Sequence, residues 1–457
     1  MRNLSFTSIE KRAAFSLASI YGLRMFGLFL VLPVLATYAV DYPGYSPFTV
    51  GLAIGIYGLT QAIFQIPLGL WSDRIGRKPV IVIGLVIFAF GSWVAGQAET
   101  MNQLIIGRAL QGCGAIASAL MAMAADVSRE ERRAQMMAVL GLSIGVAFVL
   151  SLISGPILAK QMQLSGLFNL TAILAILAIV AVFTLVPKIQ QQIRQRDVLP
   201  AVAQLKQILK DRQLIRLDIG IFCLHFLLSS SFVVLPLLLI ESGLAKEDHG
   251  WIYLPVMLIG FLGMLPGIII AEKKKQHSKV MGIALIVLFL SQLTWMVSGN
   301  SLFLIIGLAL FFLGFNLLEA MLPSMISRFA PAAGKGTAMG LYSTSQFMGS
   351  FIGGVSAGIL ASQFGGSSVF VLGVVIVIIW GIVHYGQQNP PAISSISIAL
   401  NVAEADSNKT EQLVQELLKH QGIVEVLTLE KDNMLYLRFD TTVLDGKAAK
   451  QLVKQIF

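Results

Sequence analysis

Four ionisable residues stand inside long apolar stretches of this 457-residue chain: Arg24, Arg108, His225 and Glu319. A charge in the middle of a bilayer costs about 2.5–3.5 kcal/mol on insertion scales, so each is a candidate functional group. A carboxyl group whose surroundings alternate between apolar and wet can load and release a proton, which makes Glu319 the first candidate for a proton carrier. Histidine titrates near neutral pH without special surroundings. His225 is then a candidate relay or substrate contact, and Arg24 or Arg108 a candidate counter-charge. The same residues also suit a structural ion pair or a hydrogen-bonded histidine, and spacing alone does not say which of them meet. Asn316, Gln61, Gln65 and Gln346 suit either a cavity wall or interhelical hydrogen bonds. Asp41 and Glu241 end their segments, where water can solvate them.

The elements that must position these groups are membrane-spanning helices. A chain that is 56% hydrophobic and only 12% charged is not an ordinary soluble protein. A span needs about 20 apolar residues, and segments of that kind run over 13–40, 47–70, 79–98, 102–124, 134–159, 165–187, 213–241, 250–271, 279–298, 301–326, 335–363 and 367–386. The stretch 13–40 is too long for a signal-peptide core of about 7–15 residues. Connections rich in Lys and Arg alternate with poor ones, which places both termini and the loops near 71–78, 129–133, 188–212, 272–275 and 328–335 in the cytoplasm. The net charge of +9 belongs to those loops, so the expected partner is the lipid bilayer and not nucleic acid. Cys113 and Cys223 lie within apolar segments and read as packing residues.

Between the second and third segments lies Gly69-Leu70-Trp71-Ser72-Asp73-Arg74-Ile75-Gly76-Arg77-Lys78-Pro79. Gly76 permits a turn closed to residues with a Cβ, and Pro79 suits the first turn of the next helix. Asp73 is an acid among bases and calls for a partner: Arg77, the next helix's positive end, or both. The pattern Gly69, Asp73, Gly76, Arg77, Lys78 resembles the signature between the second and third helices of the major facilitator superfamily. That resemblance implies that Asp126 pairs with Arg77 while Asp73 faces the second half of the chain, near 334–337 at the start of the eleventh helix. Together they would form a latch at the cytoplasmic face. The corresponding loop of the second half, 272–279, has no Gly-Arg-Lys core, so a one-sided latch is expected.

An internal repeat supports the same architecture. Leu104-Ile105-Ile106-Gly107-Arg108-Ala109-Leu110 recurs as Leu304-Ile305-Ile306-Gly307-Leu308-Ala309-Leu310, at an offset of 200 residues. Two six-helix halves in parallel orientation, 1–187 and 213–388, joined by a cytoplasmic linker 188–212, would bind substrate at their interface. Arg108, where the repeat has Leu308, resembles the fourth-helix motif of proton-driven members. Gly145, Gly155 and Pro156 resemble the fifth-helix motif of the drug/proton antiporters, although Ala159-Lys160 stands where two glycines are usual.

Beyond Gln387-Gln388-Asn389-Pro390-Pro391 the charge density becomes that of a soluble domain. Strands over 394–399, 423–430 and 434–439 and helices over 408–420 and 445–457 give the order βαββα. This resembles the ferredoxin-like fold, without the Cys pair that small metal-binding domains of that fold carry, so no metal is expected. The fold class is an all-α membrane protein of about twelve transmembrane helices with a small α/β ferredoxin-like domain at 392–457. Its unfinished sheet edge is a candidate for self-association. No nucleotide-binding Gly-Lys-Ser/Thr loop, zincin His pair or nucleophile elbow occurs, so neither an enzyme nor a cofactor is expected. The resemblance implies a proton-coupled exporter of small amphiphilic compounds in the bacterial inner membrane, with protons and a small-molecule substrate as partners. Uptake of a nutrient or organic anion, and a transporter-like sensor signalling through its C-terminal domain, are the alternatives.

Overall fold

The structure, a computed structural model, describes residues 6–187, 201–297, 300–331, 334–399, 414–429, 434–441 and 443–456. It divides into two compact units, Met1–Gln388 and Asn389–Phe457. Eleven helices of the first unit are long and apolar enough to cross a membrane. The longest, Glu130–Thr184, is broken at Gln163, whose φ of 55° lies outside the helical region. It therefore makes two crossings, the fifth and sixth, and the described residues make twelve. The others are Ser8–Leu30, Pro47–Ile75, Arg77–Gly96, Met101–Cys113 continued by Ala117–Val127, Arg212–Glu241, His249–Lys274, His277–Val297, Ser301–Phe329, Lys335–Phe364 and Ser367–His384.

Local chemistry sets where these helices start. Thr7 with Glu10, Ser46 with Thr49 and Thr100 with Gln103 form reciprocal caps, and the Asp211 carboxylate accepts from the Gln213 and Leu214 N–H groups at the seventh crossing. The first crossing was expected to reach residue 40 but ends at Leu30. Pro33 lacks the N–H that a continuing helix would need, and a short helix resumes at Leu35–Tyr38. The fourth crossing breaks at Gly114, where the third helix comes so close that an added Cβ would lie 2.3 Å from the Gly84 carbonyl oxygen. Its repeat partner, the tenth crossing, runs unbroken through Gly314. Of the linker expected at 188–212, residues 188–200 lie outside the described residues. The remainder holds a short helix, Ala201–Ile208.

The halves touch at one end of the bundle. Between Pro47 and Gly58 the second crossing packs on the C-terminal part of the eleventh: a Cβ at Gly51 would lie 2.2 Å from the Gly354 carbonyl oxygen. At Gly55 it would lie 2.7 Å from that of Phe351, and at Gly358 2.7 Å from that of Pro47. The eighth crossing meets the fifth at the same end, where a Cβ on Gly250 would lie 2.6 Å from the Ile153 carbonyl oxygen. The apolar core follows this division. Leu30, Val34, Phe148 and Leu152 of the first half join the core of the second half, whereas Leu17, Val80, Met123 and Met136 belong to a separate first-half core. Toward the end that carries Gly76 and Gly334, a Cβ added at Gly141, Gly145, Gly336 or Gly340 would meet nothing within 4 Å.

The second unit holds a three-stranded antiparallel sheet in the order β1-β3-β2, with β1 Ile393–Ala399, β2 Ile423–Leu429 and β3 Met434–Asp440. Its core contains Leu417, Val426, Leu435, Leu437, Phe439, Ala449 and Val453, the last two from the helix Gly446–Ile456. Arg438 and Glu425 form a cross-strand ion pair at 2.8 Å. The arrangement is compatible with a small α/β domain. Of the helix expected at 408–420, residues 414–419 are helical and 408–413 lie outside the described residues, as does the turn at 431–433.

Candidate functional site

The seventh, tenth and eleventh crossings bring His225, Glu319 and Gln346 together. His225 Nε2 lies 3.1 Å from Glu319 Oε2 and 2.7 Å from Gln346 Nε2, and Gln346 Nε2 lies 3.4 Å from Glu319 Oε1. The Phe315 ring meets the imidazole edge-on at 5.8 Å. The His225 side chain is 10% exposed and that of Glu319 36%, so the carboxylate is the member of the group that water can reach. One ring nitrogen faces both partners, and it can either donate or accept a single proton. If Nε2 carries the proton it donates to the Glu319 carboxylate, and the amide must present its oxygen. If Nε2 is bare it accepts from the amide N–H, and a hydrogen bond to Glu319 then needs a protonated carboxyl. With the imidazolium as donor and the neutral ring as acceptor, the two arrangements differ by one proton moved between Glu319 and His225, and the Gln346 amide turns over between them.

Arg24 and Arg108 are held elsewhere, in the first half. Arg24, fully buried, donates from Nη2 to the Tyr57 hydroxyl (3.1 Å), Gln61 Oε1 (3.0 Å) and the Gly114 carbonyl (2.9 Å), and lies over the Phe88 ring at 5.1 Å. It thus satisfies a carbonyl freed by the break in the fourth crossing. Gln61 in turn donates to Gln65 at 3.0 Å. Arg108 donates to the Ala53 carbonyl (3.1 Å) and Gln111 Oε1 (2.8 Å) and lies over the Tyr57 ring at 5.0 Å. Among the described residues neither guanidinium pairs with a carboxylate, and neither bonds to Glu319. Tyr21 of the first crossing is within electrostatic reach of both Arg24 and Glu319. Asn316, 8% exposed, packs near Gly260, and its Nδ2 has no hydrogen-bond partner among the described residues.

At the other site, Arg77 pairs with Asp73 one turn before it, with Asp126 at 3.1 Å and with the Ser72 hydroxyl at 2.7 Å. Asp73 thus meets Arg77, one of the partners that its place among bases suggested, and its side chain stays half-exposed. Gly76 has φ 103°, a region that residues with a Cβ avoid. Gly69 lets the second crossing approach the fourth, since its Cβ would lie 2.9 Å from the Ser118 hydroxyl. Lys78 donates to the Val186 carbonyl at the end of the sixth crossing (3.0 Å). A one-sided latch was expected, and the second half, without a Gly-Arg-Lys core, carries an ion-pair cluster of its own. In the second half Glu272 binds Arg328 at 2.5 Å and His277 at 3.3 Å, joining the eighth, ninth and tenth crossings as Arg77 joins the second, third and fourth. The residue types had changed, which hid the correspondence. A further pair, Glu10 with Arg129 at 2.8 Å, ties the first crossing to the loop after the fourth.

On the fifth crossing, Gly155 permits close approach to the first, where a Cβ would lie 2.5 Å from the Leu30 carbonyl oxygen, and Pro156 follows inside the helix. Gly145 has open space at the same test, so it is not a packing glycine here. Asp218, buried in the seventh crossing, escaped the sequence reading because it lies near the charged end of its segment.

Two bundled sets of crossings related by the repeat, with a charged Gly76 hairpin and a buried polar cluster, define a membrane transporter fold. A model of the Major Facilitator Superfamily matches residues 17–353 and 275–429, and the chain belongs to that superfamily. It is similar to the inner membrane transport protein YajR of Escherichia coli, with 41% identity over all of both chains. It is more distantly similar to the multidrug resistance protein MdtH of Aeromonas salmonicida, with 24% identity over 74% of this chain and 85% of that one. Among solved structures, the human organic anion transporter MFSD10 (TETRAN) matches with a TM-score of 0.63 and 19% identity, over 83% of this chain and all of that one. At that identity the likeness concerns the fold.

Proposed function

We propose that the chain is a proton-coupled secondary transporter of the bacterial inner membrane, exporting small amphiphilic compounds by alternating access. The observation that carries this reading is the His225–Glu319–Gln346 group, in which one ring nitrogen serves two partners and a proton decides between them. The basic loops favour a cytoplasmic position for the Gly76 end. The halves then close on the outer side and open inward, and the Arg77 and Glu272 ion pairs stiffen each half at the mouth. The similarity to MdtH and the Gly155–Pro156 feature of the fifth crossing favour export. The anion-uptake reading is less favoured, because Arg24 and Arg108 spend their donors on first-half groups. In this reading the C-terminal unit is a ferredoxin-like accessory domain whose β1 edge associates with a second copy.

Purified protein in liposomes, offered ethidium and other cationic dyes under an imposed pH gradient, tests the reading. Dye accumulation opposite to proton flow supports it; proton and solute moving together, or no gradient dependence with any compound, sinks it.

A further inference from the structure

Asp218 lies on the seventh crossing seven residues before His225, hence on the same helical face. It is 7% exposed, and its Oδ1 has no hydrogen-bond partner among the described residues. A carboxylate in that position is costly, whereas the protonated acid is not. On the eleventh crossing, which packs along the seventh, Tyr342 is 4% exposed, and its hydroxyl also has no hydrogen-bond partner among the described residues. Tyr342 is within electrostatic reach of both Asp218 and Glu319. The two crossings are parallel and present matched polar positions. Ser229 meets Ser350 at 2.6 Å and His225 meets Gln346 at 2.7 Å; toward the Gly334 end, Tyr342 stands one turn from Gln346 and Asp218 two turns from His225.

Several titratable groups on the seventh crossing and on the helices packed against it are bound elsewhere. Arg216 donates to the Gly386 carbonyl, Arg328 binds Glu272, His384 contacts the Ser278 carbonyl, and Asp73 binds Arg77. Lys335 begins the eleventh crossing, at the mouth.

We propose that Asp218 is a second proton-binding carboxyl group, which exchanges a proton with Glu319 through the Tyr342 hydroxyl and passes it to the Gly334 end of the bundle. In the transfer, Glu319 goes from acid to carboxylate. The Tyr342 oxygen accepts its proton while releasing its own, and Asp218 goes from carboxylate to acid. One proton moves, and no other bond changes. The inference rests on the proton-coupled reading above.

The test is infrared difference spectroscopy of the full chain in lipid nanodiscs, recorded as pH is stepped, without any substrate. The natural chain should show a protonated-carboxyl absorption that is lost in Asp218→Asn, kept in Asp218→Glu and kept in Glu319→Gln. Tyr342→Phe should leave that band in place and slow its exchange into heavy water at least severalfold, an effect that a merely structural role for the hydroxyl would not give. A titrating carboxyl spectrum identical in Asp218→Asn, with Asp218→Glu also unchanged, overturns the proposal. Dye flux separates the two levels. Gradient-driven flux with an unaltered Asp218→Asn spectrum defeats this inference alone, whereas a lost Asp218 band with no gradient-driven flux in the natural chain defeats the transport reading alone.

Discussion

Replacing Gly51 by alanine should shift the protein away from the conformation described. The added Cβ would lie 2.2 Å from the Gly354 carbonyl oxygen and 3.0 Å from the Gly358 Cα, both backbone atoms of the eleventh crossing, which cannot swing aside as a side chain does. Ordinary contact begins at 3.4 Å, so the helices must separate by about 1.2 Å at this level. Overpacking of this kind costs about 1–3 kcal/mol. The cost falls only on the state in which this seam is closed, so it should shift the balance between closed and open seams by about 5- to 150-fold. Spin labels at Phe48 and Ser362, in a background without Cys113 and Cys223, read the seam directly by their distance distribution. The natural seam should give one short distance, and Gly51→Ala should add a longer one. Gly340→Ala, placed in open space, should leave the distribution unchanged. A Gly51→Ala distribution matching the natural one, with Gly354→Ala equally silent, would refute the claim that backbone contact at glycines holds this end shut.

Three further outcomes follow from the structure. Gly76→Ala, at φ 103°, should lower thermal stability by about 1–2 kcal/mol, read as a fall in the unfolding midpoint, whereas Gly336→Ala should not. Asp126→Asn leaves Arg77 with Asp73 and Ser72 alone, and because the pair is only partly buried it should cost about 1 kcal/mol or less. Differential scanning fluorimetry at low and high salt checks it, with the gap shrinking as salt rises. Residues 389–457 alone should elute as a dimer on gel filtration at high concentration, and a charge introduced into β1 should return them to a monomer; a monomer throughout would count against edge pairing.

Much of this was legible because membrane helices advertise themselves by length and the loops by charge. The hairpin at Gly76 could be read from residue types, since a positive φ and a compact basic turn leave little choice. Glu319 and His225 stood out because charge is rare in apolar segments, and they meet at 3.1 Å. What the chain hid was which helix faces touch. Gln346 is one amide among several, and only the packing of the eleventh crossing on the seventh makes it the third member of the group. Arg24 and Arg108 looked like partners for Glu319 because charge can be read without direction; folded, they turn toward Tyr57 and the broken fourth helix. Asp218 was passed over since a carboxylate near a helix end looks solvated, and burial there comes from helices far along the chain that pack on the seventh crossing. The second-half ion pairs were hidden by the change from Arg77 and Asp126 to His277, Glu272 and Arg328.

In the proposed coupling, a proton passing through the Glu319–His225 group links the gradient to solute movement. The direct measurement compares the natural chain with Glu319→Gln in liposomes, each assayed for gradient-driven accumulation and for gradient-free exchange of the same dye. Glu319→Gln should lose accumulation and keep exchange, since the variant still changes conformation but carries no proton on that side chain. Full gradient-driven accumulation in Glu319→Gln would contradict it.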